Sequence, residues 1–280
     1  MNTRIITPHL IDTFAAHLRD DEKSASTEEK YLRDLRRFAE FLQGRTVDKH
    51  LVLEYKTVLA QRGAVTAANS VLASLNSFLR FAGWCDCTVK QFRVQKKAYC
   101  PEEKELTREE YVRLVRAAER NENERLSLVL QSICGTGIRV SELQYITVEA
   151  AQKGEATVSC KGKTRTVFIV SSLRKKLLRY AKAQGITCGA IFVTRGGKPL
   201  NRSNIWRQMK SLCESASVSP EKVFPHNLRH LFARIFYGIE KDIAKLADIL
   251  GHSNVNTTRI YIITTGAEHK RKMENMRLIL

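Results

Sequence analysis

Residues 225–261 read PHNLRHLFARIFYGIEKDIAKLADILGHSNVNTTRIY, and two helices are legible in them. One spans about His226 to Tyr237 behind Pro225; the other spans Lys241 to Leu250 and is stopped by Gly251. On the first helix His226 and His230 lie four apart and share a face, with Arg229 beside His226. Two imidazoles at that spacing can bind zinc. That reading fails at the second position, where Asn227 stands in place of the glutamate base of HExxH, and no third ligand is apparent. Taken singly, His252 reads as a cap after a helix and Tyr261 as core or surface.

Working outward, Gly135-Thr136-Gly137-Ile138-Arg139-Val140-Ser141-Glu142-Leu143 places two glycines in a tight turn and an arginine at the start of the next helix. An arginine there can offer its planar fork to a phosphate, or pair with Glu142 or Glu149. The segment lacks the P-loop ending and the GxGxxG spacing. Between it and the histidine helix lies a short β region. Thr157 to Cys160 and Arg165 to Val170 are rich in β-branched residues and flank the turn Lys161-Gly162-Lys163; Ala190 to Val193 is a third candidate strand. A helix is expected near Arg202 to Ser215, and Thr107 with Glu110 fits a capping box that opens another.

The first part of the chain is helical throughout. Short helix Pro8–Leu18 precedes Ser26–Gln43, where Ser26 and Glu29 fit a capping box and Tyr31, Leu35, Phe38 and Leu42 form one apolar stripe. Lys30, Arg33, Arg36 and Arg37 fall mostly off that stripe, on a face suited to solvent or to phosphates. Helices Val47–Gln61 and Thr66–Ala82 follow, the second with Val71, Leu72, Leu75, Phe78, Leu79 and Ala82 as its buried side. Periodicity is lost from Lys90 to Lys104, which is basic and contains Pro101. The expected organisation is a helical domain over residues 1–92, a basic linker over 93–103 and a second domain over 104–280.

The chain of 280 residues carries 47 Lys and Arg against 29 Asp and Glu, a net charge of +18. A field of that sign attracts polyanions, of which nucleic acid is the commonest inside cells. Residues 1–103 hold 16 basic and 13 acidic side chains, and 104–280 hold 31 and 16, so the second part carries most of the field. No apolar run is long enough to span a membrane, and the start has no signal-peptide pattern, so the cytoplasm is the expected compartment. Seven scattered cysteines argue against a disulfide framework, and the lone Cys85-Asp86-Cys87 pair against a zinc site. The tail, Ala267 to Leu280, reads as an amphipathic helix that packs on its own domain, on another subunit or on a membrane.

GTGIRVSEL, the hairpin lysine, HNLRH and LGHSNVNTTRIY occur in the order and spacing of the tyrosine recombinases, the phage integrase family, and the chain resembles that family over about residues 104–265. Residues 1–95 resemble its core-binding domain more loosely. The resemblance implies a mainly α protein: an N-terminal SAM-like helical bundle, then a mixed α+β catalytic domain with a small β-hairpin sheet, the DNA breaking-rejoining fold. By the same resemblance Arg139 and Arg229 are the two catalytic arginines, Lys161 the hairpin lysine with Lys163 as rival, and His226 and His252 the family histidines. Tyr261 is then the nucleophile, Glu142 the acid that supports the first arginine, and His230 an auxiliary position.

The implied activity is site-specific DNA recombination through a 3′-phosphotyrosyl intermediate, with no metal and no ATP as cofactor. The implied partners are double-stranded DNA and further copies of the chain, four subunits on two sites linked through C-terminal tails docked in trans, with accessory DNA-bending proteins in some systems. Two other readings share the fold: a noncatalytic DNA-binding protein, and a type IB topoisomerase-like enzyme that relaxes DNA without a specific site.

Overall fold

The computed structural model divides into two compact units, Met1–Lys96 and Lys97–Leu280. Residues 4–94, 104–160, 162–194, 196–261 and 274–276 are described, apart from the side chains of Cys160 and Lys163.

The first unit is built from helices α1 (Pro8–Asp20), α2 (Ala25–Leu42), α3 (Lys49–Arg62) and α4 (Val65–Phe81). The expected stripes face each other: Leu35, Phe38 and Leu42 of α2 and Leu72, Leu75, Phe78 and Leu79 of α4 are buried with Phe14 and Leu18 of α1. Phe14 meets Phe78 edge to face at 5.4 Å, the arrangement that aromatic quadrupoles favour. The Ser26–Glu29 capping box does not form. The helix begins earlier, with Ser24 as N-cap, and Ser24 makes no side-chain bond to the helix backbone.

A polar clasp crosses the apolar seam. Asp34, 3% exposed, accepts from Lys30 Nζ at 2.6 Å and from Ser74 Oγ at 2.8 Å. Lys30 also donates to the Ser70 carbonyl and to Ser74, so its ammonium is engaged, whereas Arg33, Arg36 and Arg37 are exposed.

The segment leaving this unit is fastened to α4. Asn76 exchanges two hydrogen bonds with the Val89 backbone, and Asn69 does the same with Phe92. Lys90 to Phe92 therefore run along the bundle rather than opening a free linker; residues 95–103 of the expected linker lie outside those described.

The second unit opens with α5 (Arg108–Arg120), whose Thr107–Glu110 capping box is formed as expected. It continues with α6 (Glu124–Thr136), a 3-10 turn Val140–Tyr145, α7 (Val148–Lys153) and the hairpin of β1 (Glu155–Cys160) and β2 (Lys163–Phe168). Then come α8 (Ser171–Ala183), α9 (Arg202–Ser211), α10 (Cys213–Ala216), α11 (Pro225–Glu240), α12 (Ile243–Leu250) and α13 (Val255–Arg259). Arg202–Ser215, expected as one helix, is split at Leu212. Ala190 and Val193 make only isolated bridges, so the described sheet has two strands.

The strands are antiparallel with Val158 opposite Arg165 and Ala156 opposite Val167. Ala156, Val158, Val167 and Ile169 are buried. The two-residue period of a strand then puts Arg165 on the core-facing side with Val167. The main core joins α5, α6, α8 and the hairpin. A smaller cluster of Ala233, Leu246, Leu250 and Tyr261, lined by Phe232, Phe236 and Tyr237, holds α11, α12 and the segment after α13 together.

Candidate active site

Gly137 sets the entrance to the site. It ends α6 in the left-handed conformation at φ +67°, and a Cβ there would stand 2.5 Å from the Phe232 ring of α11. Gly135, expected to share the turn, is helical. The chain reverses at Gly137 and delivers Arg139 as the N-cap of the 3-10 turn. The Arg139 amide donates to Glu142 Oε2 at 2.9 Å and its Nη1 to Oε1 at 2.7 Å. Of the two acidic partners open to Arg139 in the sequence, Glu142 is the one engaged.

Glu142 is 2% exposed. Its carboxylate also accepts a two-pronged contact from Arg165, at 3.1 Å and 2.7 Å. Burial alone would push this carboxyl up, but the hydrogen bonds from Arg165 and then from Arg139 hold it down at about 2. It remains an anion between two cations at any ordinary pH.

Arg229 sits on α11 and is 1% exposed. Nη1 donates to the Gly137 carbonyl and Nη2 to the Leu250 carbonyl, each at 2.6 Å, while Nε is buried without a partner. Burial, and next the charge of Arg139, bring the guanidinium down to about 10, which leaves it protonated at neutral pH. The end of α12 gathers these cations. Arg165 donates to the Ile249 carbonyl at 3.1 Å, Arg229 to Leu250, and Arg139 reaches Gly251 at 3.4 Å. Three successive carbonyls at a helix C-terminus, the negative end of its dipole, thus hold three arginines close together.

His252 follows directly, its amide donating back to the Ala247 carbonyl in a helix-ending turn. Arg229 Nη2 lies 3.0 Å from His252 Nε2, and His252 Nδ1 lies 2.9 Å from Thr258 Oγ1. An arginine can only donate, so Nε2 accepts and Nδ1 carries the proton, which it donates to Thr258. Burial foremost, then Arg229 and Arg139, holds the ring near 4, so it is neutral.

Tyr261 lies just past α13, whose N-cap Asn254 accepts from the Asn256 amide. Its ring stacks on His230 at 4.1 Å, and its hydroxyl is 3.0 Å from His226 Nε2. Tyr261 is 4% exposed. His230 is brought down to about 4 by burial and then by His226, and His226 is lowered by burial and then by Arg229 and Arg139. The phenol is therefore surrounded by neutral imidazoles able to take a proton, beside guanidiniums able to hold an anion.

Arg139, the α11 pair His226 and Arg229, His252 and Tyr261 thus converge from four separate stretches of chain. Lys161 lies outside the described residues. Among the described residues no cluster of three or more His, Cys, Asp or Glu side chains could hold a metal ion, and His226 with His230 remain a pair. Two participants were not singled out by sequence, Arg165 and Thr258. Strand alternation carried the signal for Arg165, an arginine in phase with Val167 and Ile169.

Residues 104–267 match the phage integrase family, and residues 11–85 match the phage integrase N-terminal SAM-like domain. The chain belongs to the phage integrase family. This integrase-family chain is 27% identical over 288 residues to the tyrosine recombinase XerA of Pyrococcus furiosus, covering 100% of its own length and 98% of the relative's. Its fold is similar to that of a lambda integrase tetramer bound to a Holliday junction, with a TM-score of 0.74 at 18% identity, over 93% of this chain and 78% of that one. It is also similar to the XerH recombinase bound to its difH substrate before cleavage, with a TM-score of 0.70 at 16% identity, over 97% and 90%. The integrase-family chain is accordingly a tyrosine recombinase, an enzyme of site-specific DNA cleavage and rejoining.

Proposed function

We propose that Tyr261 is the nucleophile of this recombinase and that Arg139, Arg229 and His226 assemble around the phosphodiester it attacks. The observation that carries this is the Tyr261 hydroxyl 3.0 Å from Nε2 of His226, an imidazole whose protonation is disfavoured by burial and then by the charges of Arg229 and Arg139. A phenol is a weak nucleophile until its proton is drawn away, and His226 is within reach to accept it. The phenolic oxygen bonds to phosphorus as the bond from phosphorus to the 5′ oxygen breaks. The departing oxygen takes a proton from Lys161, leaving a free 5′ hydroxyl and a 3′-phosphotyrosyl link. Negative charge spreads over the nonbridging oxygens in this step, and the forks of Arg139 and Arg229 offset it.

His252 has a different task from His226. With Nε2 accepting from Arg229, it orients the second arginine and leaves His226 as the proton acceptor. The phosphoryl bond is conserved in the covalent intermediate, so a 5′ hydroxyl from another strand reverses the step and completes strand exchange without ATP.

The substrate is duplex DNA, held by two basic units through its phosphates, and the active assembly is four copies on two sites. The overall charge of +18 supports the first, and the likeness to DNA-bound integrase dimers and tetramers supports the second. Most of the tail proposed to link subunits in trans lies outside the described residues. No helix among them is long and apolar enough to cross a membrane, and the reaction places the protein in the compartment that holds the DNA.

Tyr261→Phe tests the reading. Wild type incubated with a pool of nicked duplexes of randomised sequence should yield adducts that survive detergent and digest to phosphotyrosine; the variant should yield none. Adduct from the variant would remove Tyr261 from its role.

A further inference from the structure

We propose that Arg165 is a positioning residue for strand cleavage: it locks Glu142 so that Arg139 meets the phosphate in one fixed orientation. The inference rests on the recombinase reading above. Arg165 is not placed to touch the phosphate itself. All three of its contacts are internal, two to the Glu142 carboxylate and one to the Ile249 carbonyl.

Glu142 alone would be a poor anchor. Its side chain is held to Arg139 through one fork nitrogen and one amide, both on the same residue, and the pair's tie to the end of α12 is a single long contact, Arg139 Nη2 to the Gly251 carbonyl at 3.4 Å, which leaves the carboxylate itself without a reference there. Arg165 supplies the missing reference. It projects from the buried face of β2, spans both carboxylate oxygens, and with Nε grips α12 at Ile249, one residue before the carbonyl that holds Arg229 and two before the one that Arg139 approaches. The two phosphate-facing arginines are thereby referred to one frame. Gly251 reflects how close the packing is: a Cβ there would stand 2.8 Å from Arg165 Cδ.

The charge arrangement points the same way. One buried carboxylate shared by two guanidiniums leaves a net positive charge, and Arg139, which gives that carboxylate only one of its fork nitrogens, retains fork hydrogens for an incoming anion. A lysine could keep the charge but could not span Glu142 and Ile249 together. The requirement is for the fork.

The test uses a nicked duplex that wild type has captured from the randomised pool, synthesised with an ordinary scissile phosphate and with a neutral methylphosphonate in its place. The second substrate lacks one of the charges that the arginine clamp serves. On the phosphate, Arg165→Gln and Arg165→Lys should form adduct at least about tenfold more slowly than wild type, with DNA affinity by gel shift unchanged. On the methylphosphonate the gap should close to about twofold, as it should for Arg139→Gln. An equal defect on both substrates would mean a merely structural role, and wild-type speed in Arg165→Lys would mean that charge alone suffices; either overturns the proposal.

If wild type captures no duplex, the recombinase reading is the one that fails. The DNA-free protein still judges Arg165, because inorganic sulfate binding measured by calorimetry should weaken in Arg139→Gln, weaken in Arg165→Gln, and fall no further in the double variant. Additive losses, or no loss in Arg165→Gln, overturn the coupling.

Discussion

Arg229 and His252 fix each other: the guanidinium donates to Nε2 across 3.0 Å, which forces the proton of His252 onto Nδ1 and toward Thr258. Nitrogen-15 spectra at neutral pH should therefore show His252 as the Nδ1–H tautomer. Thr258→Val removes the acceptor of that proton without adding volume and should release the ring. Adduct formation should then slow by about tenfold while Arg229 stays charged.

The same burial makes the fold sensitive to acid. His230 and His252 titrate near 4 in the folded chain against an ordinary value of 6.5. Between those values the unfolded chain binds more protons than the folded one, so stability rises with pH across the window and is lost as pH falls from 6.5 toward 4. Glu142, held at about 2 against 4.5, adds a loss of the same sign at still lower pH. Denaturation midpoints measured from pH 7 to pH 4 should fall steadily. The slope should be shallower in His252→Asn, and an unchanged slope there would contradict the neutral buried ring.

His226→Asn should lower the rate of adduct formation by about a hundredfold or more, the usual scale for losing a general base. The wild-type rate should climb with pH and level off at a pH below 6.5, because burial and the neighbouring arginines lower this imidazole. A rate that keeps climbing past neutrality would point to a different proton acceptor.

Much of this site was legible because each motif is local. GTGIRVSEL, HNLRH and LGHSNVNTTRIY each carry their candidate residue beside the glycine, proline or cap that places it, so Arg139, His226, Arg229, His252 and Tyr261 could be named once the ordered set was seen to resemble the tyrosine recombinases. Arg165 could not be named with equal force, because the run Arg165 to Val170 has apolar residues in both phases, Phe168 at the end of β2 and Val170 just past it being exposed. Alternation then gives two phases without saying which is buried. The Ser26–Glu29 capping box misled because Ser24, two residues earlier, offers the same side chain and takes the N-cap position, though it makes no bond to the helix backbone. Gly135 and Gly137 look alike in sequence, yet only the second needs a left-handed backbone.

Gly137 and Gly185 share φ +67°, but only Gly137 has a neighbour in the way, the Phe232 ring. Alanine at either position incurs the cost of a left-handed backbone, about 1 kcal/mol. Gly137→Ala must also displace Phe232 and should lose about 1–3 kcal/mol more, the usual cost of overpacking. Urea denaturation of the two variants gives the difference directly, and equal losses would mean that α11 yields without strain.

Salt dependence separates the two kinds of basic residue on α2. Each phosphate contact adds about 0.9 to the slope of log affinity against log salt. Arg33 and Arg36 are exposed, so if α2 faces DNA, Arg33→Gln and Arg36→Gln should each reduce the slope by about one contact and leave the melting temperature in place. Lys30 is already committed to Asp34, Ser74 and the Ser70 carbonyl. Lys30→Gln should leave the slope unchanged and lower stability instead, because the buried Asp34 carboxylate loses its counter-ion. A fall in slope with Lys30→Gln would mean that the clasp opens on DNA and that its ammonium transfers from Asp34 to a phosphate.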